Sequence, residues 1–276
     1  MNAVAIIALR EIREGRRNKW VVAITALMAA LALTLTLVGS APTGTVGVSP
    51  LSVVVVSLSS LTIFLVPLIA LLLSYDAIAG EIERGTLGLL LSYPVARWQV
   101  VGGKFLGHAG ILAIATIVGY GAAAGALVLG GGSIDLEAWS AFAAMIGTSV
   151  LLGASFLALG YLASVLVRDP RTAGGIAVGI WLCSALIYDM GLLGLLVVDQ
   201  GRIVTPGVLD ALLLANPADV YRLFNLTGFS GVSNLSGMAG LAAELNLDKG
   251  ALAAVLLAWI AVPLSLAALI FSRREL

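Results

Sequence analysis

"GEIERGTLGLLLSYPVARWQVVGGK", Gly80 to Lys104, places five charged residues and a proline between two long apolar runs. Those flanking runs decide the fold. One extends from Leu51 to Leu73 and the other from Phe105 to Leu129. As helices, both exceed the roughly 20 residues needed to cross a hydrocarbon core of about 30 Å. Working outward, the same length recurs at Trp20 to Val38, Trp139 to Val167, Ala173 to Val198 and Ala251 to Phe271. None of the six alternates as a barrel strand would. The expected class is therefore an all-α polytopic membrane protein with six transmembrane helices.

Composition agrees. Of 276 residues, 60% are hydrophobic and only 11% charged, and the mean hydropathy is +1.08. Soluble domains are about half apolar and a quarter charged. Val38-Gly39-Ser40-Ala41 has the small residues of a signal-peptidase site. The run before it is too long for a signal core of about 7–15 residues and follows a charged segment, so it reads as a retained first helix.

Basic residues set the expected orientation, because Lys and Arg are held on the cytoplasmic side during insertion. Arg10, Arg13, Arg16, Arg17 and Lys19 precede the first span. Arg84, Arg97 and Lys104 follow the second, Arg168 and Arg171 the fourth, and Arg273 and Arg274 the sixth. The opposite links are poor in them: residues 39–50 carry no charge, and residues 130–137 carry only Asp135 and Glu137. Arg202, Arg222 and Lys249 fall in the long segment 199–250, where the rule has little weight. Both termini, and the quoted stretch, are expected in the cytoplasm.

Residues 1–19 form an amphipathic pattern. At 100° per residue Val4, Ala5, Ala8, Leu9 and Ile12 share a face opposite Arg10, Arg13, Glu14 and Arg17, as in a helix lying in the headgroup layer. Arg10 and Glu14, then Glu14 and Arg17, are spaced to pair along it.

Searches for reaction chemistry exclude several classes. Gly102-Gly103-Lys104-Phe105 lacks both the first glycine and the hydroxyl of a P-loop. One histidine, His108, and one cysteine, Cys183, do not make a metal set, and Met28, Met145, Met190 and Met238 are scattered as packing residues. Ser155, in Gly153-Ala154-Ser155-Phe156, has no base at hand and is expected to bond to helix backbone. No catalytic residue, metal ligand or bound cofactor is expected in this chain. Gly103/Gly107, Gly121/Gly125 and Gly175/Gly179 are small-xxx-small pairs that mark close helix packing.

Two distal features stand out. Asp189, beside Tyr188 in the fifth run, reads either as a pathway or gate residue or as an acid at a helix break before Gly191 and Gly194. In segment 199–250, Asn216-Pro217 opens a helix with Asp219 near its positive end. Tyr221, Leu223, Phe224 and Phe229 make this segment an expected outer lid or docking surface. The sequons at Asn225 and Asn234 carry no information for a bacterial source.

In the opening stretch, Glu81, Glu83 and Arg84 are expected on an exposed face. Thr86 would cap a short helix that closes before Tyr93-Pro94, and Arg97-Trp98 would anchor the return to the membrane. The pattern Glu81-x-Glu83-Arg84-Gly85-Thr86-Leu87, followed by Leu90-Leu91, Pro94, Arg97 and Gly103-Lys104, resembles the link between transmembrane helices 2 and 3 of ABC-2-type permeases. Six spans and an amphipathic first segment extend the likeness over the whole chain.

That resemblance implies a type V exporter-like fold and a homodimer of six-helix subunits. It implies separate ATPase subunits that hold ATP and magnesium, and coupling through Glu81, Glu83, Arg84, Gly85, Thr86, Pro94 and Arg97. More narrowly, "FLVPLIALLLSYDAIAGE" (Phe64 to Glu81), "GKFLGH" and "NPADVYRLFNL" resemble the NosY-type permeases of nitrous oxide reductase maturation. These imply a NosF-type ATPase, a NosD-type periplasmic protein, the bacterial inner membrane, and a role in assembling a copper-sulfur centre. Candidates for docking the periplasmic protein are Asp219, Tyr221, Arg222 and Phe224. The bilayer is a partner and nucleic acid is not. A general ABC-2 exporter of lipids, drugs or glycans and a passive membrane scaffold are the alternatives.

Overall fold

A computed structural model describes residues 2–17, 19–39, 50–129, 136–199, 204–226 and 248–274. Every regular element among them is helical. The first part of the chain forms α1 (Ala3–Arg17), α2 (Lys19–Gly39), α3 (Pro50–Ser74), α4 (Ala79–Glu83), α5 (Thr86–Leu91) and α6 (Arg97–Leu129). The second forms α7 (Leu136–Leu166), α8 (Pro170–Leu182), a π-helical turn (Cys183–Ile187), α9 (Tyr188–Asp199), α10 (Pro206–Leu214), α11 (Pro217–Leu226) and α12 (Lys249–Arg273). Five stretches are long and apolar enough to cross a membrane: Val54–Glu83, Arg97–Ala126, Trp139–Leu166, Pro170–Asp199 and Lys249–Arg273. The shorter apolar helix Val21–Leu37 brings the number to six.

Helices are the solution here because in hydrocarbon each backbone donor needs a partner within its own segment. Buried hydroxyls follow the same rule by bonding back one turn: Thr62 to Leu58, Thr116 to Leu112 and Ser149 to Met145. Pro67 removes one rung of α3, and nearby the Trp181 indole donates to the Phe64 carbonyl at 2.9 Å.

The central helix is α7, which packs against α3, α6, α8, α11 and α12. Its small residues allow close approach: a Cβ on Gly153 would lie 2.2 Å from Leu112, and one on Gly160 2.0 Å from the Ser74 hydroxyl. Met145, Leu152, Phe156 and Tyr161 form the middle of the core. As expected, Ser155 bonds to helix backbone, to Leu151 at 3.0 Å and to Leu256 of α12 at 3.3 Å.

α1 and α2 follow α6 in the same direction. Virtual Cβ atoms on Gly103 and Gly107 would lie 2.8 Å from Ile7 and 2.4 Å from Glu11. One on Gly119 would lie 3.0 Å from Met28. α1 turns Ile7 and Glu11 toward α6, while Ala5 and Leu9, on the face expected in the headgroup layer, are exposed. Glycines on α6 select which line of α1 can approach it. Gly121, Gly125, Gly175 and Gly179 meet nothing within 4 Å among the described residues.

In the distal segment, α10 and α11 form a wedge among α3, α7, α9 and α12; the rest of the expected lid, residues 227–247, lies outside the described residues. Tyr221 bonds Ser149 at 3.0 Å, and Ser149 lies about 20 Å along α7 from Leu136 at 1.5 Å per residue. Residues 40–49, 130–135, 200–203 and 227–247 are outside the described residues. They include Ser40-Ala41, both short links, Arg202, Phe229, Asn234 and Met238.

Candidate functional site

The proximal end of the bundle brings together α1, the α4–α5 segment, the start of α6 and the last turns of α7 and α12. Leaving α3, the chain turns at Tyr75, where the Ser164 hydroxyl of α7 accepts from the Ile78 and Ala79 amides, both at 3.0 Å. These amides lead into α4, so one buried side chain completes a helix start. α4 ends at Gly85, whose φ of 68° is the left-handed conformation open to glycine. Gly85, not Thr86, occupies the cap position of α5. Thr86 is the first helical residue, and its hydroxyl reaches back to the Glu81 carbonyl at 3.4 Å. At the far side of the segment Gln99 accepts from the Ala96 amide at 3.0 Å, the reciprocal half of a capping box that starts α6.

Glu81 is not on the exposed face. Its carboxylate meets Lys104 of α6 at 2.8 Å, and the same ammonium holds Glu11 of α1 at 2.8 Å. The three side chains are only 8–15% exposed. Glu11 also faces His108 at 3.5 Å, and Tyr161 of α7 bonds the other ring nitrogen at 2.8 Å. Both ring nitrogens of His108 therefore have partners, one on α1 and one on α7. Burial pushes the Glu11 carboxyl up, but the His108 hydrogen bond and the Lys104 charge outweigh it and lower the value from 4.5 to about 2. One lysine thus joins α1, α4 and α6.

What the segment leaves exposed is a mixed surface. Glu83, Arg84, Thr86 and Pro94 are exposed, as are Leu89, Tyr93 and Trp98. Arg97, expected among the coupling residues, is engaged inside the chain. Its guanidinium donates to the Phe271 carbonyl at 3.0 Å, to Ser272 at 3.3 Å and to Arg274, at the end of α12.

The distal candidates gather around the wedge. Arg222 of α11 bonds Asp189 at 2.6 Å and also bonds Asp219. Asn216 donates to Asp219 and to the Ser184 carbonyl, both at 2.9 Å, and Tyr188 donates to Leu212 at 2.5 Å. Ser184 lies in the π-turn, where the backbone ladder slips by one residue and needs outside partners. Asp189 therefore sits just beyond a π-turn within a continuous helix, not at a break before Gly191. Its Oδ1 is buried without a hydrogen bond.

Two of the four docking candidates are buried inside this chain. Asp219 and Tyr221 are 1% and 0% exposed, because α11 is wedged between spans, and Arg222 is spent on two carboxylates. Phe224 packs in the distal cluster with Lys249 over its ring at 5.9 Å.

Sequence reasoning missed Glu11, Ser164 and Arg274 and treated His108 only as an insufficient ligand. The available signal was Lys104 itself: a lysine between Gly103 and Gly107 on a packing face needs a carboxylate from the helix that covers it. No group of three or more metal-ligating side chains occurs among the described residues.

Comparison with known proteins gives a consistent result. The family model described as ABC-2 family transporter protein matches residues 5–276. The "Probable ABC transporter permease protein NosY" of Stutzerimonas stutzeri is 46% identical over 276 residues, covering 99% of each chain. The protein of the same name from Pseudomonas aeruginosa is 44% identical over 277 residues, covering 100% of each.

Proposed function

The chain belongs to the ABC-2 transporter family, and on that premise we propose that it is the membrane-spanning permease subunit through which a separate ATPase does work across the bacterial inner membrane. The supporting observation is the form of the α4–α5 segment. Its outward surface, with Glu83, Arg84, Leu89 and Tyr93, is free for a partner, while its inward side is fixed by Ser164 and the Lys104 pairs. A segment built this way receives force on one side and passes it to helices on the other. ATP and magnesium belong to the partner, of NosF type, and this chain works as a homodimer with both termini in the cytoplasm.

Likeness over full length to two NosY permeases favours a narrower role in building the copper-sulfur centre of nitrous oxide reductase, with a NosD-type protein on the periplasmic side. The exposed pair is the place to test coupling. Glu83→Lys with Arg84→Glu should lower ATPase association and activity in the reconstituted complex by tenfold or more. Deletion of the chain should leave nitrous oxide reductase without its copper-sulfur absorption. Unchanged ATPase binding in the first experiment refutes the coupling surface, and a mature reductase in the second refutes the narrower role.

A further inference from the structure

A second set of contacts at the proximal end forms a closed ring. Arg97, the first residue of α6, where the chain returns from the α4–α5 segment, binds the final carbonyls of α12 and stacks on Phe271, its guanidinium 5.8 Å from the ring centre. Arg274, just past α12, donates to the Val165 and Val167 carbonyls at 2.7 and 3.0 Å, at the end of α7. Ser164, in that same turn of α7, holds the Ile78 and Ala79 amides where the segment begins. The ring runs from the distal side of the segment to α12, from α12 to α7, and from α7 back to the segment's start.

Each link has a physical reason. The last carbonyls of a helix lack backbone donors, and an arginine fork supplies several donors in one plane while its charge suits the negative helix end. Here two arginines perform this service across helices and not within their own. Neither α7 nor α12 is adjacent in sequence to the α4–α5 segment, so the ring adds two helices to the two, α3 and α6, that the chain joins to it directly.

We propose that this ring makes the α4–α5 segment, the end of α7 and the end of α12 one rigid body, with Arg97 and Arg274 as its positioning residues. Displacement of the segment by the ATPase is then delivered to four spans at once. The inference rests on the coupling role proposed above, but it concerns how this chain distributes force.

The test uses the full chain with its ATPase in lipid nanodiscs, in a Cys183→Ala background. Spin labels are placed at Ser92→Cys at the end of α5 and Leu269→Cys on α12, both exposed and both outside the surface proposed for the ATPase, and labelled chain is diluted with unlabelled chain so that only intrachain distances are read. With the ring intact, the distance distribution should be narrow and the same with and without a non-hydrolysable ATP analogue. Arg97→Gln should broaden it and make it shift by several ångströms with nucleotide. Arg274→Gln, which cuts the ring elsewhere, should do the same, and the double variant should be no worse than either single one. A nucleotide-dependent distance in the intact chain, or a narrow, unchanged distance in both variants, overturns the proposal. If no ATPase binds, the coupling role fails, while the width of the distribution in the isolated chain still reports on the ring.

Discussion

The molecule contains two buried clusters of the same stoichiometry, two carboxylates to one cation, and they do different work. At the proximal end Lys104 holds Glu11 and Glu81, which come from separate elements, so the cation joins three pieces of chain. In the distal half Arg222 holds Asp189 and Asp219, but Asp219 is three residues away on the same helix. There the cation is braced by its own helix and ties the wedge to one span. The contrast teaches that a charge cluster's role depends on how many elements it spans, and the Lys104 cluster is the more integrating.

The largest effect is expected at Lys104. Lys104→Met leaves two buried carboxylates facing each other without a counter-charge. Loss of one partner from such a group costs about 3–5 kcal/mol. The thermal transition of the purified chain should fall sharply, and the α1 amides should lose hydrogen-exchange protection. Arg222→Gln should cost somewhat less, about 3 kcal/mol, with lost protection confined to α9–α11. If Arg222→Gln loosened α1 as well, the two clusters would not be separate units.

A smaller effect separates close packing from open surface on a single helix. Gly107→Ala places a methyl where Glu11 already stands, 2.4 Å away, whereas Gly121 faces nothing within 4 Å among the described residues. The first substitution should destabilise by about 1–3 kcal/mol through overpacking, and Gly121→Ala should leave the monomer's stability unchanged. Equal effects in detergent-solubilised monomer would contradict the path of α1 along α6.

The smallest effect concerns pH. The Glu11 carboxyl is held below its ordinary value of 4.5, at about 2. A depressed folded-state value means that its stabilisation is complete above 4.5 and is lost as pH falls toward 2. Exchange protection of α1, corrected for the intrinsic rate, should therefore be unchanged between pH 7 and pH 5. A loss over that range would show that Glu11 is not paired as described.

Much of the fold was legible in the sequence because a bilayer imposes a length and an apolar composition that a chain must display openly. The amphipathic α1, the six apolar runs and the short helix ending before Pro94 were readable on that basis. Glu81 was misplaced because its exposed face was judged from the local pattern of Glu81, Glu83 and Arg84, while its partner stands on α6. Tyr221 and Asp219 looked available for docking because apolar and aromatic side chains in a long link between spans suggest a surface awaiting a partner, and nothing local reports that the helix folds back between α7 and α12.

By itself, the sequence determined that this chain spans a membrane as helices and that one polar stretch separates its second and third spans. Hydropathy is a property of linear order. Only the tertiary structure decided which residues of that stretch are exposed and which are bound inside. It also decided that Arg97 serves α12, and that Glu11 and Glu81 share one lysine. Those outcomes depend on which helix faces which, and that is set by glycine-lined contact surfaces and by helix ends in need of donors, which meet only once the bundle has closed.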